Sequence, residues 1–286
     1  MIREFTNRYP LAAFIVLACV FSWWLVPMTG YPLGSGPLFV ALVVLGLTQG
    51  RDGLVGLGKQ AARWRVSWKW YAVAVLLPAF AAVVAALLTV QLGAPSPSSA
   101  ELAAWTEVPF TFLLVLMVPM FGPWEEPGFR GFALSELMRR RSTLVAGLTV
   151  GVIHVFWHLP LFFTDGIPMA DVVYILGASV VFAWVVTGSG GSVLMAMLMR
   201  ASSNAVSGEY ISTMFTGSNA DTLGWIRAGD LGGVWCWGRP GGRQRLEERP
   251  GRRAIGGGNS TAASSRPSDR LAGHTWRRDD IDNTYP

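Results

Sequence analysis

Apolar residues dominate seven runs of the chain, near 10–29, 35–50, 70–92, 107–123, 142–163, 170–187 and 190–207. Most approach the about 17–25 residues that a membrane-crossing helix needs; the second and last are short and contain glycine. The expected fold is all-α, a polytopic transmembrane helical bundle of about seven spans. The connections alternate in basic content. Residues 1–9 carry Arg3 and Arg8, residues 51–69 carry Arg51, Lys59, Arg63, Arg65 and Lys69, and residues 124–141 carry Arg130, Arg139, Arg140 and Arg141. The connections 30–35, 93–106 and 164–170 carry none. The positive-inside rule then places the N-terminus in the cytoplasm. Trp64, Trp68 and Trp70 flank the third run as an interfacial aromatic belt does, and 54–69 reads as a short surface helix. The first run lacks a small-residue cleavage site and is read as a retained helix rather than a signal peptide.

Composition supports this reading. The 286 residues are 51% hydrophobic and only 14% charged, with 13 Trp, whereas soluble domains are about a quarter charged. The expected setting is a lipid bilayer. The formal charge of +5 is concentrated in the tail: residues 1–221 are close to neutral. No nucleic-acid partner is implied. Cys19 and Cys236 stand far apart, with no metal spacing and no disulfide framework.

Residues 1–221 are expected to form the membrane domain, with its polar motifs in 107–207. After about Trp225 the apolar periodicity stops, and Gly, Arg and Ser dominate. Such a composition buries too little apolar surface to offset chain entropy, so 222–286 is expected to be a disordered basic tail. Leu223–Arg227 reads as the start of an eighth span that is never completed. A reading frame that shifts near residue 228 would explain this; an ordinary basic tail is the alternative.

Three ionisable clusters interrupt the oily sequence: Glu125-Glu126-Pro-Gly-Phe-Arg130, His154-Val-Phe-Trp-His158 and Arg200-Ala-Ser-Ser-Asn204. Ionisable groups inside a membrane are costly and mark functional sites by default. Glu126 and Arg130 are four apart and can pair on a helix. Either they form a surface ion pair at an interfacial helix start, or one carboxylate is a general base in an apolar setting. His154 and His158 also share a helical face. They either donate to a neighbouring helix or join the carboxylates; Val155 stands where a zinc-protease helix needs Glu, so a zinc helix of that type is not expected. Arg200 and Asn204 share a face as well. They either bridge two helices through a glutamate or stabilise an oxyanion. Ser192, Ser202 and Ser203 lack a nucleophile elbow. The segment 124–141 reads as a helix along or just under the membrane surface. His158 lies about 24 Å into its run at ~1.5 Å per residue, so a shared site requires the Glu helix to dip inward or that span to start later.

Together the clusters resemble the CAAX-protease and bacteriocin-processing (Abi) family of intramembrane endopeptidases. The family pattern is Glu-Glu-x-x-x-Arg, then Phe-x-x-x-His, then His-x-x-x-Asn. Glu125-Glu126-Pro-Gly-Phe-Arg130 fills the first motif. Trp157-His158-Leu-Pro160 fills the core of the second, with His154 in place of Phe. Arg200-Ala-Ser-Ser-Asn204 fills the third, with Arg in place of His. The resemblance covers roughly 70–215 and implies an all-helical fold of about eight spans that hydrolyses a peptide bond in or beside the membrane. It implies Glu125 and His158 as water activators and Asn204, with Arg200, at the oxyanion. Glu126, Arg130 and His154 would support them. Members are often described as metal-dependent and also as metal-independent glutamate proteases; a divalent ion such as zinc, if used, would sit on Glu125 and His158. The implied substrate is a lipidated C-terminus, a leader peptide or another membrane peptide. A catalytically inactive immunity or scaffold protein is the main alternative. A small transporter is the third, although no internal repeat is seen.

Overall fold

The computed structural model describes residues 2–164 and 168–237, and its secondary structure is entirely helical across them. After a short leading helix, Ile2–Arg8, come α1 (Pro10–Trp23), α2 (Gly36–Thr48), α3 (Gly50–Ala61), α4 (Trp68–Gln91) and α5 (Val108–Met117). A tight 3-10 turn, Gly122–Glu125, then leads into a π-helix, Pro127–Ala133, continued by Leu134–Met138. Next follow α6 (Thr143–Trp157), α7 (Met169–Gly188), α8 (Val193–Ser202), a second π-helix (Ser203–Ile211) and α9 (Ser218–Trp237). The all-α bundle expected from the apolar runs is therefore present. Among the described residues, four segments are long and apolar enough to cross a membrane: Pro10–Thr29, Trp68–Gln91, Ser99–Glu125 and Met169–Gly188; α2 and α6 are shorter apolar helices.

The seven expected runs are recovered as positions rather than as seven full-length spans. The fourth breaks where Val118 turns extended, because the residue before Pro119 is pushed out of helical backbone. The fifth ends when His158 leaves helical geometry, just before Pro160. The helix α9 runs through Trp237, so the part of the expected tail between 222 and 237 is helical. The remaining tail, and with it the frameshift reading, lies outside the described residues.

The segment 124–141 differs most from expectation. Its first half is not exposed on the bundle: Phe129, Arg130, Ala133 and Leu134 are buried within the core, against Phe14 of α1 and Trp157 of α6, while Arg139, Arg140 and Arg141 are exposed. Glycine permits this. A Cβ at Gly128 would lie 2.5 Å from the Pro37 backbone at the start of α2, so any side chain there would hold the segment away from α2. Gly128→Val is expected to abolish recovery of a monodisperse folded protein in detergent, as read by size-exclusion chromatography. Wild-type-like elution would show that the docking is dispensable.

Two further contacts set the frame around this segment. Gly147 and Gly151 of α6 form a small-residue stripe against Ser179 and Ala183 of α7, the arrangement by which membrane helices approach closely. Ser202 Oγ donates to the carbonyl of Val75, one turn before Pro78 inside α4 (2.6 Å), tying α8 to the proline-containing stretch of α4.

Candidate active site

The charged cluster is built where the 3-10 turn, the first π-helix, α6, α7 and α8 meet. Trp124 Nε1 donates to the carbonyl of Leu116 (2.9 Å) and so fixes the start of the turn against α5. The two glutamates that follow are both buried, yet they differ: the Glu125 side chain keeps 4% of its surface exposed and Glu126 keeps none. Glu125 is thus the carboxylate at the edge of the cluster, and Glu126 the one inside it.

Glu126 is held by two arginines. Arg130 Nε lies 3.2 Å from its Oε2, and Arg200 Nε donates to its Oε1 at 2.9 Å. Arg130 also donates from Nη2 to Ser179 Oγ of α7 (3.0 Å) and stacks over the Phe182 ring (4.7 Å). Arg200 also lies near that ring, 5.1 Å from its centre. Two carboxylates and two guanidinium groups therefore balance in charge, which a low-dielectric site requires.

Glu125 Oε1 receives two contacts from different helices. Arg200 Nη2 of α8 lies 3.0 Å away and His154 Nε2 of α6 3.3 Å away. The His154 tautomer follows from its other nitrogen. Arg130 Nη1 lies 3.3 Å from Nδ1; a guanidinium only donates, so Nδ1 accepts and the proton of the neutral ring is on Nε2, which lies beside Glu125 without a hydrogen bond to it. The ring is stacked on Phe129 at 4.5 Å. His158 takes the opposite tautomer. Its Nδ1 contacts the carbonyl of His154 (2.9 Å), which only accepts, so Nδ1 is protonated and the Nε2 lone pair is left over. The two imidazoles lie 4.7 Å apart, centre to centre. Asn204, on the second π-helix, faces the turn: a Cβ on Gly122 would lie 2.9 Å from its Nδ2.

All seven residues singled out in the sequence lie in one stretch of chain. Residues 104–206 match a family model described as type II CAAX prenyl endopeptidase Rce1-like. They form an Rce1-like domain. This is the family that the three motifs resemble, and the match takes in every one of them. No curated protein matches the chain.

Within the Rce1-like domain, the dip of the glutamate segment brings Glu125, Glu126, Arg130, His154 and Arg200 into direct contact. His154, expected only to support the site, is the imidazole in contact with Glu125. Arg200 directs Nε and Nη2 at the glutamates, and so bridges helices through both carboxylates. The pair that would hold a divalent ion if one were used, Glu125 and His158, does not fit it. A guanidinium and the N–H edge of an imidazole stand at Glu125 Oε1, and no group of three or more His, Cys, Asp or Glu converges among the described residues; a zinc site uses at least three such protein ligands.

Ser179 and Phe182 contribute to the cluster although sequence reasoning passed over them. The only signal was indirect, since a buried Arg130 must find partners on a neighbouring helix. The two π-helices carry Arg130 and Asn204, in keeping with the frequency of π-turns at functional sites. The second is pinned by Tyr210, hydrogen-bonded to Thr111 (2.8 Å), and by Ser203, hydrogen-bonded to Tyr174 (3.0 Å).

Proposed function

We propose that this integral membrane protein is an endopeptidase that hydrolyses a peptide bond of a membrane-associated substrate, a prenylated C-terminus or a leader peptide, from the inner membrane of a bacterium with its N-terminus in the cytoplasm. The observation that carries the reading is the contrast between the two glutamates within an Rce1-like domain. Glu126 is closed off by two arginines, whereas Glu125 is anchored through Oε1 and retains some accessible surface. Water bound beside Glu125 and His158 attacks the scissile carbonyl carbon. The water proton passes to Glu125, with His158 Nε2 as the second acceptor. The carbonyl π-electron pair moves to oxygen, where the Asn204 amide donates to the oxyanion. Collapse of the intermediate expels the amine, which takes the proton back. Arg200 restrains Glu125 through Nη2 while its Nε holds Glu126.

The experiment is cleavage of a library of prenylated and leader-type peptides by the full chain in proteoliposomes, read by mass spectrometry. Defined products that depend on the protein support hydrolysis. Their absence from both the wild type and variants that release Glu125 favours the second reading, a non-catalytic scaffold or immunity protein. That reading draws on the ion pair between Arg200 and Glu125, which occupies the catalytic carboxylate.

A further inference from the structure

The connection from α2 to α4 is a compact basic platform that the hydrolytic chemistry does not use. It consists of α3, the loop after it and the first turn of α4. Arg51, Lys59, Arg63, Arg65 and Lys69 are all exposed there, against one acidic residue, Asp52. None of the five forms an ion pair among the described residues, and the Arg65 guanidinium lies over the Trp64 ring at 4.9 Å. Trp64 and Trp68 are themselves 60% and 73% exposed. Large aromatics in such positions are at odds with bulk water and fit a membrane interface.

The platform is held in place from below. Ser192 Oγ donates to the Arg63 carbonyl (2.7 Å), and Tyr71 Oη donates to the Trp64 carbonyl (2.6 Å). These contacts fix the loop carbonyls and leave the basic side chains outward. On its inner side Leu57 is buried against Gly131 of the first π-helix, where any added Cβ would collide with it. Both flanking helices, α2 and α4, are apolar, so the platform lies where chain leaves and re-enters the hydrocarbon.

We propose that this face binds the headgroups of anionic phospholipids, with the five cations contacting phosphates and Trp64 and Trp68 seated at the headgroup level. Charge complementarity favours this occupant over a zwitterionic lipid. Each basic residue beside an anionic leaflet contributes about a fivefold preference, weakened by salt. The site is independent of catalysis, and through Leu57 it braces the helix that carries Arg130.

The test uses the full chain in nanodiscs of mixed phosphatidylcholine and phosphatidylglycerol, with the lipids that stay bound counted by native mass spectrometry. Wild type is expected to retain phosphatidylglycerol in preference. The Arg63→Gln/Arg65→Gln/Lys69→Gln variant is expected to lose most of that preference, and Arg65→Gln alone to lose about fivefold. The Arg139→Gln/Arg140→Gln/Arg141→Gln variant, at the other exposed basic run, is expected to keep it. Equal retention of both lipids by wild type would overturn the proposal. So would an undiminished preference in the first variant together with Arg65→Gln, loss confined to the second variant, or equal displacement of both lipids by inorganic phosphate.

Discussion

The double variant Arg200→His/His154→Phe is expected to cleave its substrate about 100-fold faster than wild type. The two residues where this chain departs from the motif pattern meet on one atom, Glu125 Oε1, at 3.0 and 3.3 Å. The wild-type carboxylate already accepts the water proton through Oε2; removing both contacts from Oε1 withdraws about 3 kcal/mol of stabilisation from its charged form, which corresponds to about 100-fold in rate. The replacements fit the site in shape; they remove one of its two guanidinium charges, so rates are compared per mole of folded protein. A phenyl ring in place of the His154 imidazole would keep the stack on Phe129, and Glu126 would keep Arg130 as its partner. Each single variant is expected to gain less than the square root of the double, because either remaining contact still holds the carboxylate. Initial rates of the four proteins in proteoliposomes measure this coupling. A fall in rate for Arg200→His would instead assign Arg200 to the oxyanion.

Glu126→Leu is expected to lower the stability of the folded protein by about 3–5 kcal/mol, since it leaves two guanidinium groups short of one buried carboxylate. At about 2–4 °C per kcal/mol the unfolding midpoint in detergent falls by roughly 10 °C. Arg130→Met is expected to cost a comparable amount, because Glu126, His154 and Ser179 all lose the same partner. The combination Glu126→Leu/Arg130→Met restores charge balance. Its loss should be smaller than the sum of the single losses by about 2 kcal/mol, the coupling expected of residues in one buried network. Additive losses would mean that the two side chains do not act as a pair.

The fold class and the site were legible in the sequence for different reasons. Hydrocarbon demands continuous apolar runs and closed backbone hydrogen bonding, so the helices were found by position. Their lengths were less visible, because Val118 and His158 end helices through local proline geometry. Glu125, Glu126, Arg130, His154, His158, Arg200 and Asn204 stood out because ionisable and strongly polar side chains are rare in such runs. Their depth did not. Nothing in 124–141 announces that Gly128 lets the segment pass within contact of Pro37, so a surface helix was the simpler expectation. Which histidine meets Glu125 depends on the phase of α6 against α7, set by the Gly147–Gly151 stripe. The π-turns that carry Arg130 and Asn204 arise from tertiary packing and have no sequence motif of their own.

The most direct test is cleavage by wild type, Glu125→Ala and His158→Ala, each reconstituted at equal density and shown to be folded by its elution and unfolding midpoint. Loss of about 10²–10⁴-fold is expected in both variants. Cleavage that survives both substitutions at the wild-type rate would contradict water activation by Glu125 and His158.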